Sequence, residues 1–355
     1  MMRTKLVIAV CILLLPFFAF SQIKIDTIKS GESPEDLYFP IIRHPKPTIG
    51  LKINNYLQTN ILQNTTKKTP PAKLFDRTKH VMSDSLQRAG ISYCTFDLLL
   101  NTPKLLTVEI DFEYMSAYPT SLSKYFNFNA QNGEPILVED LFTNAGLESL
   151  KKKVNADRKK LVKEYVEGIK KNKTEELIDD LDYLAKTLQD CLEYETLDGF
   201  MLAKNKMVFH KSNCFPHVMQ SYMPDLDIEL SYTQISSWLN DFGKKALMMN
   251  TASIEKEYKP GIMKPFYGNI GGKYPIVLQF TDKYSDKTVS GFYFYESQGI
   301  CISVSGGIEG SDVFIEESDE DGNTTASFKG TYDGKQITGT WTPKTGKPLP
   351  FNLKN

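Results

Sequence analysis

The chain has 355 residues, of which 42 are basic and 43 are acidic, and a formal net charge of −1. This balance argues against a nucleic-acid-binding protein, which would carry a basic surplus. The length favours two domains, because a single hydrophobic core rarely extends beyond about 250–300 residues.

Residues 1–21 have the pattern of a cleavable secretory signal. Two basic residues precede the apolar run 6–20, and Ala19 and Ser21 place small side chains at the −3 and −1 positions. We therefore predict cleavage between Ser21 and Gln22 and a secreted or periplasmic protein. An uncleaved anchor is the less favoured alternative, since a membrane-spanning helix needs about 20 apolar residues. No later segment has that character, so we expect no membrane span in the mature chain.

Removal of residues 1–21 takes away two basic residues and no acidic ones, so the mature chain carries a formal charge near −3. The cysteines that remain are Cys94, Cys191, Cys214 and Cys301. An even number in an exported protein permits disulfides, and four cysteines allow three connectivities. Cys191 with Cys214 is the favoured pair, because both lie near the ends of predicted elements in one domain. Cys94 lies on an apolar strand face and is expected to be a buried thiol.

Residues 22–250 combine strand-like and helix-like patterns and predict an α+β domain. The alternation of Leu106, Val108, Ile110 and Phe112 with polar residues is typical of a half-buried strand. The predicted strands are 38–42, 93–100, 105–114, 125–128, 200–202, 207–209 and 228–230. Apolar residues at helical spacing predict helices over 49–61, 147–169, 175–192 and 232–247.

The two long predicted helices carry segregated charge. Basic residues are concentrated in 151–173 and acidic residues in 175–190, with Thr174 as the expected N-cap of the second helix. A helical hairpin with complementary flanks accounts for this segregation, and so does a partner-binding arm. The favoured interpretation is a solvated face with weak ion pairs.

The pattern changes after residue 250. Residues 251–260 are polar and predict a linker, and residues 261–355 contain short alternating segments every 8–12 residues. They predict an all-β domain of about eight strands, either barrel-like or a strongly curved sheet. A glycine stands in mid-strand between two same-face residues at Gly268, Gly291, Gly330 and Gly339. Since glycine destabilises a strand, its repetition predicts sharp coiling or close approach of strands.

Recognisable catalytic motifs are missing from the sequence, which has no H-E-x-x-H, G-x-S-x-G, P-loop or C-x-x-C segment. His210, Cys214 and His217 form the densest group of potential zinc ligands, but a loop with surface histidines and a structural cysteine is favoured. Asp319 opens an acidic stretch that imitates a calcium loop. Gly330 stands where the bidentate glutamate belongs, so a hairpin turn is favoured. We predict no catalytic residue, no metal and no cofactor.

Three aromatic residues of the all-β domain are the candidate ligand contacts. Tyr293, Tyr295 and Trp341 lie in predicted strands, where their rings can line a ligand cavity and stack against sugars. Packing of these rings in the domain core is the favoured alternative.

Residues 38–247 carry a series of short motifs. They are Tyr38-Phe39-Pro40-Ile41, Ile53-Asn54-Asn55-Tyr56, Leu105-Leu106-Thr107-Val108-Glu109-Ile110, Phe126-Asn127-Phe128-Asn129-Ala130-Gln131-Asn132-Gly133-Glu134-Pro135-Ile136, Asp140-Leu141-Phe142, Val208-Phe209 and Ile228-Glu229-Leu230-Ser231-Tyr232. In order and spacing, this region resembles the extracytoplasmic module shared by the anti-sigma factor RsiV and the non-catalytic part of the peptidoglycan deacetylase PdaC. The resemblance implies an α+β module that binds or senses at the cell wall. In RsiV this module binds lysozyme, and no catalytic residues are implied.

One loop departs from the family pattern. Such modules often have Gly-Gly-Ala-His after the second strand, where this chain has Ser116-Ala117-Tyr118-Pro119. Ligand contacts through that loop are therefore not implied here. The resemblance ends before the all-β domain, which shares only a Gly-x-Trp or Gly-x-Tyr strand pattern with barrels such as the avidins.

Together these features predict an exported binding or sensing protein of the cell envelope. Its expected partner is a cell-wall glycan or a secreted protein such as lysozyme, and not a nucleic acid. One alternative is a cell-wall-directed hydrolase whose carboxylate pair is not marked by any motif. Another alternative is a purely structural envelope protein.

Overall fold

The computed structural model describes residues 23–29, 37–66, 69–70, 75, 82–83, 86–87, 90–115, 119–172, 181–193, 197, 199–215, 217–285 and 287–355. Over these residues an α+β region is followed by a closed β-barrel, which confirms the predicted fold class. The predicted signal, the 116–118 part of the departing loop and the expected N-cap Thr174 lie outside the described residues. Among the described residues, no helix combines the length and apolar character needed to cross a membrane.

The α+β region contains ten strands and six α-helices within the described residues. Its strands are β1 (Lys24–Lys29), β2 (Tyr38–Arg43), β3 (Met82–Ser83), β4 (Leu86–Gln87), β5 (Gly90–Asn101), β6 (Leu105–Met115), β7 (Pro119–Asn129), β8 (Phe200–Ala203), β9 (Lys206–Phe209) and β10 (Ile228–Ser231). Its helices are α1 (Pro47–Ile61), α2 (Val138–Leu141), α3 (Asn144–Asn172), α4 (Leu181–Glu193), α5 (Tyr232–Ile235) and α6 (Asp241–Leu247).

An antiparallel sheet in the order β5-β6-β7 forms the centre of this region. Because side chains alternate across a strand, Val108 and Ile110 face a core that contains Ile53 and Leu57 of α1, all fully buried. Glu109 lies between them on the opposite face of the sheet, where it is half-buried. The sheet therefore has one packed face and one face that carries polar side chains.

A second core lies where the three-stranded sheet β8-β9-β10 meets the helices. Arg158 of α3, which the sequence places in a basic run, is fully buried beside it. Its Nε donates to the Leu226 carbonyl at 3.0 Å and its Nη2 to the Phe209 carbonyl at 2.8 Å. Burial lowers the pKa of Arg158 to about 10. This arginine ties the long helix to the small sheet.

The two long helices pack through apolar side chains, including Ile169 and Leu188. The ion pairs of α3 run along the helix itself, as in Lys153–Asp157 at 2.7 Å. Within the described residues, which leave out 173–180, no ion pair joins α3 to α4. Cys191 of α4 is bonded to Cys214, with their Cα atoms 5.8 Å apart, so the favoured disulfide pairing is confirmed.

The helix predicted over 232–247 is wrong as a single element. Asn240 interrupts it, because the Asn240 Oδ1 accepts a hydrogen bond from the Gly243 amide at 2.8 Å and begins a new helix there. Asn240 also donates to the Asp140 carbonyl at 2.8 Å and the Phe142 carbonyl at 3.0 Å. Helical spacing of apolar residues does not reveal such a break.

The barrel consists of eight antiparallel strands, each paired with its neighbours in sequence, and β11 closes it by pairing with β18. The strands are β11 (Phe266–Ile270), β12 (Tyr274–Lys283), β13 (Thr288–Tyr295), β14 (Cys301–Glu309), β15 (Asp312–Ser318), β16 (Thr324–Tyr332), β17 (Gln336–Pro343) and β18 (Leu349–Lys354). Its centre is filled by buried side chains, among them Phe280, Phe328 and Phe351.

The strand glycines mark close approaches of neighbouring strands. A Cβ atom on Gly291 would collide with the Gln279 carbonyl oxygen, and one on Gly339 would collide with the Lys329 carbonyl oxygen. These crowded positions explain why a small, coiled barrel requires glycine there.

Residues 251–264 connect the two regions and pack closely. Ile254 is fully buried, and its carbonyl accepts a hydrogen bond from Asn129 Nδ2 at 2.6 Å. The barrel also contacts the segment that follows α1: the Thr65 amide and Oγ1 both donate to the Gly299 carbonyl, at 3.2 and 2.8 Å. Cys301 is buried in this interface, 3.9 Å from Thr59 Oγ1.

Candidate functional site

The three predicted binding residues lie at the same end of the barrel. Tyr293 and Tyr295 are two apart on β13, with ring centroids 5.6 Å apart. Trp341 on β17 is the strand partner of Phe328, whose ring is 5.3 Å from that of Tyr293. Tyr293 is only 1% exposed, whereas Tyr295 and Trp341 are half-buried. Tyr293 is therefore a core residue behind the other two.

A carboxylate that sequence reasoning missed is held beside these rings. Tyr293 Oη donates to Glu317 Oε2 at 2.5 Å, and Thr325 Oγ1 donates to Glu317 Oε1 at 2.6 Å. Burial and the Glu317 charge raise the pKa of Tyr293, so its hydroxyl stays protonated and donates. The available signal was the alternation Val313, Ile315, Glu317, which places a carboxylate on the buried side of β15.

The indole of Trp341 supplies a hydrogen-bond donor to the same end of the barrel. Its Nε1 is buried and makes no hydrogen bond with any described residue. Buried polar groups are paired in the great majority of cases, so this N–H is an exception that requires an explanation. Tyr274, 43% exposed, completes the rim with its ring 6.3 Å from that of Tyr295. We call Tyr274, Tyr293, Tyr295, Glu317 and Trp341 the barrel-end cluster.

A second group of titratable residues lies beside the disulfide in the α+β region. A cleft of about 460 Å³ there is lined by Cys191, Cys214 and His210, among others. His210 Nδ1 is 3.0 Å from Asp227 Oδ1, and its ring centroid is 5.2 Å from that of Tyr125. Ionisable and aromatic groups therefore meet where the cleft adjoins the polar face of the central sheet.

Glu109 lies opposite Tyr125 on that sheet face. Burial raises the pKa of the Glu109 carboxyl; a hydrogen bond with Tyr125 lowers it, and the charges of Asp111 and Asp97 raise it further. A raised pKa in the folded state means that the folded chain binds the proton more tightly than the unfolded chain. The protonated Glu109 carboxyl therefore contributes its whole share of the free energy of unfolding at low pH. That contribution is lost as the pH rises above the ordinary glutamate pKa of about 4.3.

Replacing Glu109 by glutamine is expected to stabilise the protein at neutral pH and to leave it unchanged near pH 3.5. The amide keeps the shape and hydrogen-bonding capacity but removes the half-buried charge, so we expect the melting temperature at pH 7.5 to rise by roughly 1–2 °C. Thermal unfolding at both pH values measures the effect. Glu320→Gln, in an exposed turn, is the control. A Glu109→Gln gain that is equal at both pH values would contradict this linkage.

The structure bears on both candidate metal sites, the zinc-ligand group around Cys214 and the calcium-like loop at Asp319. Cys214 is bonded to Cys191, so it offers no thiolate to a zinc ion together with His210. Asp319 lies in the β15–β16 hairpin turn, where its Oδ1 accepts from the Asn323 amide at 2.8 Å and the Asp321 amide at 3.1 Å. Hydrogen bonds from Asn323 lower the pKa of Asp319. Its carboxylate serves the turn, as the favoured interpretation expected.

Comparison with known proteins finds distant structural neighbours. No family model and no curated protein matches the chain. A DUF3298 family member from Bacteroides fragilis NCTC 9343 is 15% identical, with a TM-score of 0.44 over 64% of this chain and 98% of that chain. A DUF3298 family protein from Pseudomonas aeruginosa PAO1 is 12% identical, with a TM-score of 0.35 over 62% of this chain and 92% of that chain. The structural neighbours are thus DUF3298 family proteins, and the resemblance to the RsiV and PdaC module stays a prediction.

Proposed function

We propose that this protein is an exported, non-catalytic binding protein of the cell envelope and that its barrel-end cluster binds a cell-wall glycan. The observation that carries the proposal is the buried Trp341 N–H, which lacks an acceptor among the described residues and lies at the barrel end that also holds Glu317. A donor and an acceptor among aromatic rings are the groups that a sugar requires.

The chemistry of the cluster matches a polyhydroxylated ring. Sugar hydroxyls accept from an indole N–H and donate to a carboxylate, and each Glu317 oxygen retains a lone pair beyond the bond it already accepts. Tyr274 is exposed and Tyr295 is half-buried, and both offer ring surface for the apolar face of a sugar. In this proposal Tyr293 does not touch the ligand; it positions Glu317.

Export is supported by two separate features. Residues 1–21 have the signal pattern, and the Cys191–Cys214 disulfide is of a type that persists in oxidising compartments outside the cytosol. In such a location the chain meets wall glycans directly.

A basic secreted protein such as lysozyme is the second candidate partner. The observation that favours it is the open face of the central sheet, where Asp97, Glu109, Asp111 and Glu113 lie in adjacent register positions. Among the described residues none of these carboxylates forms an ion pair with a lysine or arginine. Such a face attracts positively charged partners, with a strength that falls as salt rises.

Tryptophan fluorescence tests the glycan proposal. The chain has two tryptophans, so Trp238→Phe leaves Trp341 as the single tryptophan, whose emission is separated from that of the 18 tyrosines by selective excitation. Soluble peptidoglycan fragments are expected to change its emission saturably. Trp341→Phe keeps a ring but removes the N–H, so we expect calorimetric binding to weaken about fivefold to tenfold.

Trp238→Phe is the matched control for affinity and is expected to bind as the wild type does. Lysozyme is titrated in parallel, at low and high salt. Binding of lysozyme without any binding of glycan would replace the first candidate by the second. A glycan affinity that Trp341→Phe leaves unchanged would remove the barrel-end cluster from the proposal.

A further inference from the structure

The outer wall of the barrel carries a groove of about 770 Å³ across strands β13 to β16. Four residues in register form a row across these strands: Thr288 pairs with Gly307, Gly307 with Phe314, and Phe314 with Lys329. Gly307 has no side chain, so the row is interrupted between Thr288 and Phe314. We call this depression the wall groove.

Gly307 differs from the glycines that the barrel needs for closure. A Cβ atom there would meet only the Lys287 carbonyl oxygen, at 3.5 Å, which is ordinary van der Waals contact. The strand therefore has room for a side chain at this position, and glycine lowers strand stability without easing any crowding. A mid-strand glycine marks a bulge, a tight bend, or a close approach of another backbone or of a ligand. Neither ladder shifts register at Gly307 and no backbone crowds it, so the close approach of a ligand is the interpretation that we favour.

The walls of the groove combine an aromatic ring with balanced charge. Phe314 is 42% exposed, and the Lys329 ammonium lies 5.1 Å from its ring centroid. Lys287 and Glu309 form an exposed ion pair at 3.2 Å, and Asp312 adds a second carboxylate. Two lysines and two carboxylates leave no net charge along the rim, which favours neither a polyanion nor a polycation.

We propose that the wall groove is a second carbohydrate subsite, which binds a segment of an uncharged polysaccharide. Phe314 stacks on a sugar ring, the open backbone at Gly307 admits that ring, and the charged rim side chains hydrogen-bond to its hydroxyls. The inference shares a ligand class with the proposed function but none of its residues. The two sites are well separated. Thr288 of the wall groove and Tyr295 of the barrel-end cluster lie at opposite ends of β13, roughly 23 Å apart at about 3.3 Å per residue.

Affinity electrophoresis tests the subsite. One set of gels contains uncharged polysaccharides, and a separate gel contains a polyanionic polymer. The full mature chain is expected to be retarded by an uncharged polymer and not by the polyanion. Gly307→Val fills the groove floor, and we expect it to weaken retardation at least fivefold. Phe314→Ala should do the same, and because this side chain is exposed its loss leaves the barrel core intact.

Gly261→Ala is the control for a glycine substitution, since a Cβ atom there meets no heavy atom within 4 Å and the residue lies outside the groove. Trp341→Phe separates the two sites, because it should leave retardation by the wall groove in place even if the barrel-end cluster fails. The inference is overturned if the polyanion alone retards the chain, or if none of the polymers does. Wild-type retardation of a folded Gly307→Val or Phe314→Ala variant would overturn it as well.

Discussion

Lys264→Met is expected to lower the free energy of unfolding by about 3–5 kcal/mol, because it leaves a buried carboxylate without its counter-ion. Lys264 Nζ lies 2.7 Å from Asp140 Oδ2, and the two side chains are only 3% and 4% exposed. Asp140 belongs to α2 and Lys264 lies just before β11, so this pair joins the α+β region to the barrel.

Other contacts hold the same pair in place. Asp140 Oδ2 also accepts from the Leu137 amide at 2.9 Å, and the Lys264 ammonium lies 5.1 Å from the ring centroid of Tyr258. Replacing both charges, as in Lys264→Met with Asp140→Leu, should therefore recover part of the loss but not all of it, since the Leu137 amide loses its acceptor.

Urea unfolding followed by circular dichroism measures this prediction. Lys256→Met, at an exposed position in the same connecting segment, is the control and should change stability by less than about 0.5 kcal/mol. If Lys264→Met is as stable as that control, the ion pair does not hold the interface and the two regions are joined by other contacts.

Gly330→Ala is expected to destabilise the barrel by about 3 kcal/mol, the upper end of the usual cost of overpacking. Gly330 faces Gly339 across β16 and β17, and an added Cβ atom would collide with the Thr338 carbonyl oxygen. Since the obstacle is backbone within a closed ladder, relief requires the two strands to separate, and overpacking of this kind is among the costly substitutions.

Gly307→Ala is the matched comparison, as a glycine-to-alanine change in a strand of the same barrel with room for the added methyl group. We expect it to alter stability by less than about 1 kcal/mol. Thermal unfolding of both variants measures the difference. Equal melting temperatures would show that the β16–β17 approach is looser than described.

Local patterns anticipated much of the architecture for a physical reason. Period-two alternation in 105–114 and after residue 260 reports which side chains face the core, and burial is set residue by residue along a strand. The mid-strand glycines anticipated crowding because only glycine tolerates it. Cys191 and Cys214 were the favoured pair because both lie near the ends of predicted elements in one domain.

Other features depend on partners that are distant in sequence. Arg158 looks like one more surface cation in a basic run, yet it is fully buried and donates to the carbonyls of Phe209 and Leu226. Residues 251–260 look like a polar linker, yet their backbone is held by distant side chains. Asn129 Nδ2 donates to the Ile254 carbonyl, and Gln131 Oε1 accepts from the Ile254 amide. In both cases the residue's environment comes from segments that its own local sequence does not specify.

Local sequence patterns are enough to predict an α+β region followed by about eight strands, and they single out Tyr293, Tyr295 and Trp341 as candidates. The closure of β18 onto β11, the burial of Tyr293 beside Glu317 and the groove at Gly307 could not be predicted in this way and are seen in the folded chain. Periodicity shows which face of a strand is buried, but strand partners and side-chain neighbours follow from register and closure, which involve residues far apart along the chain.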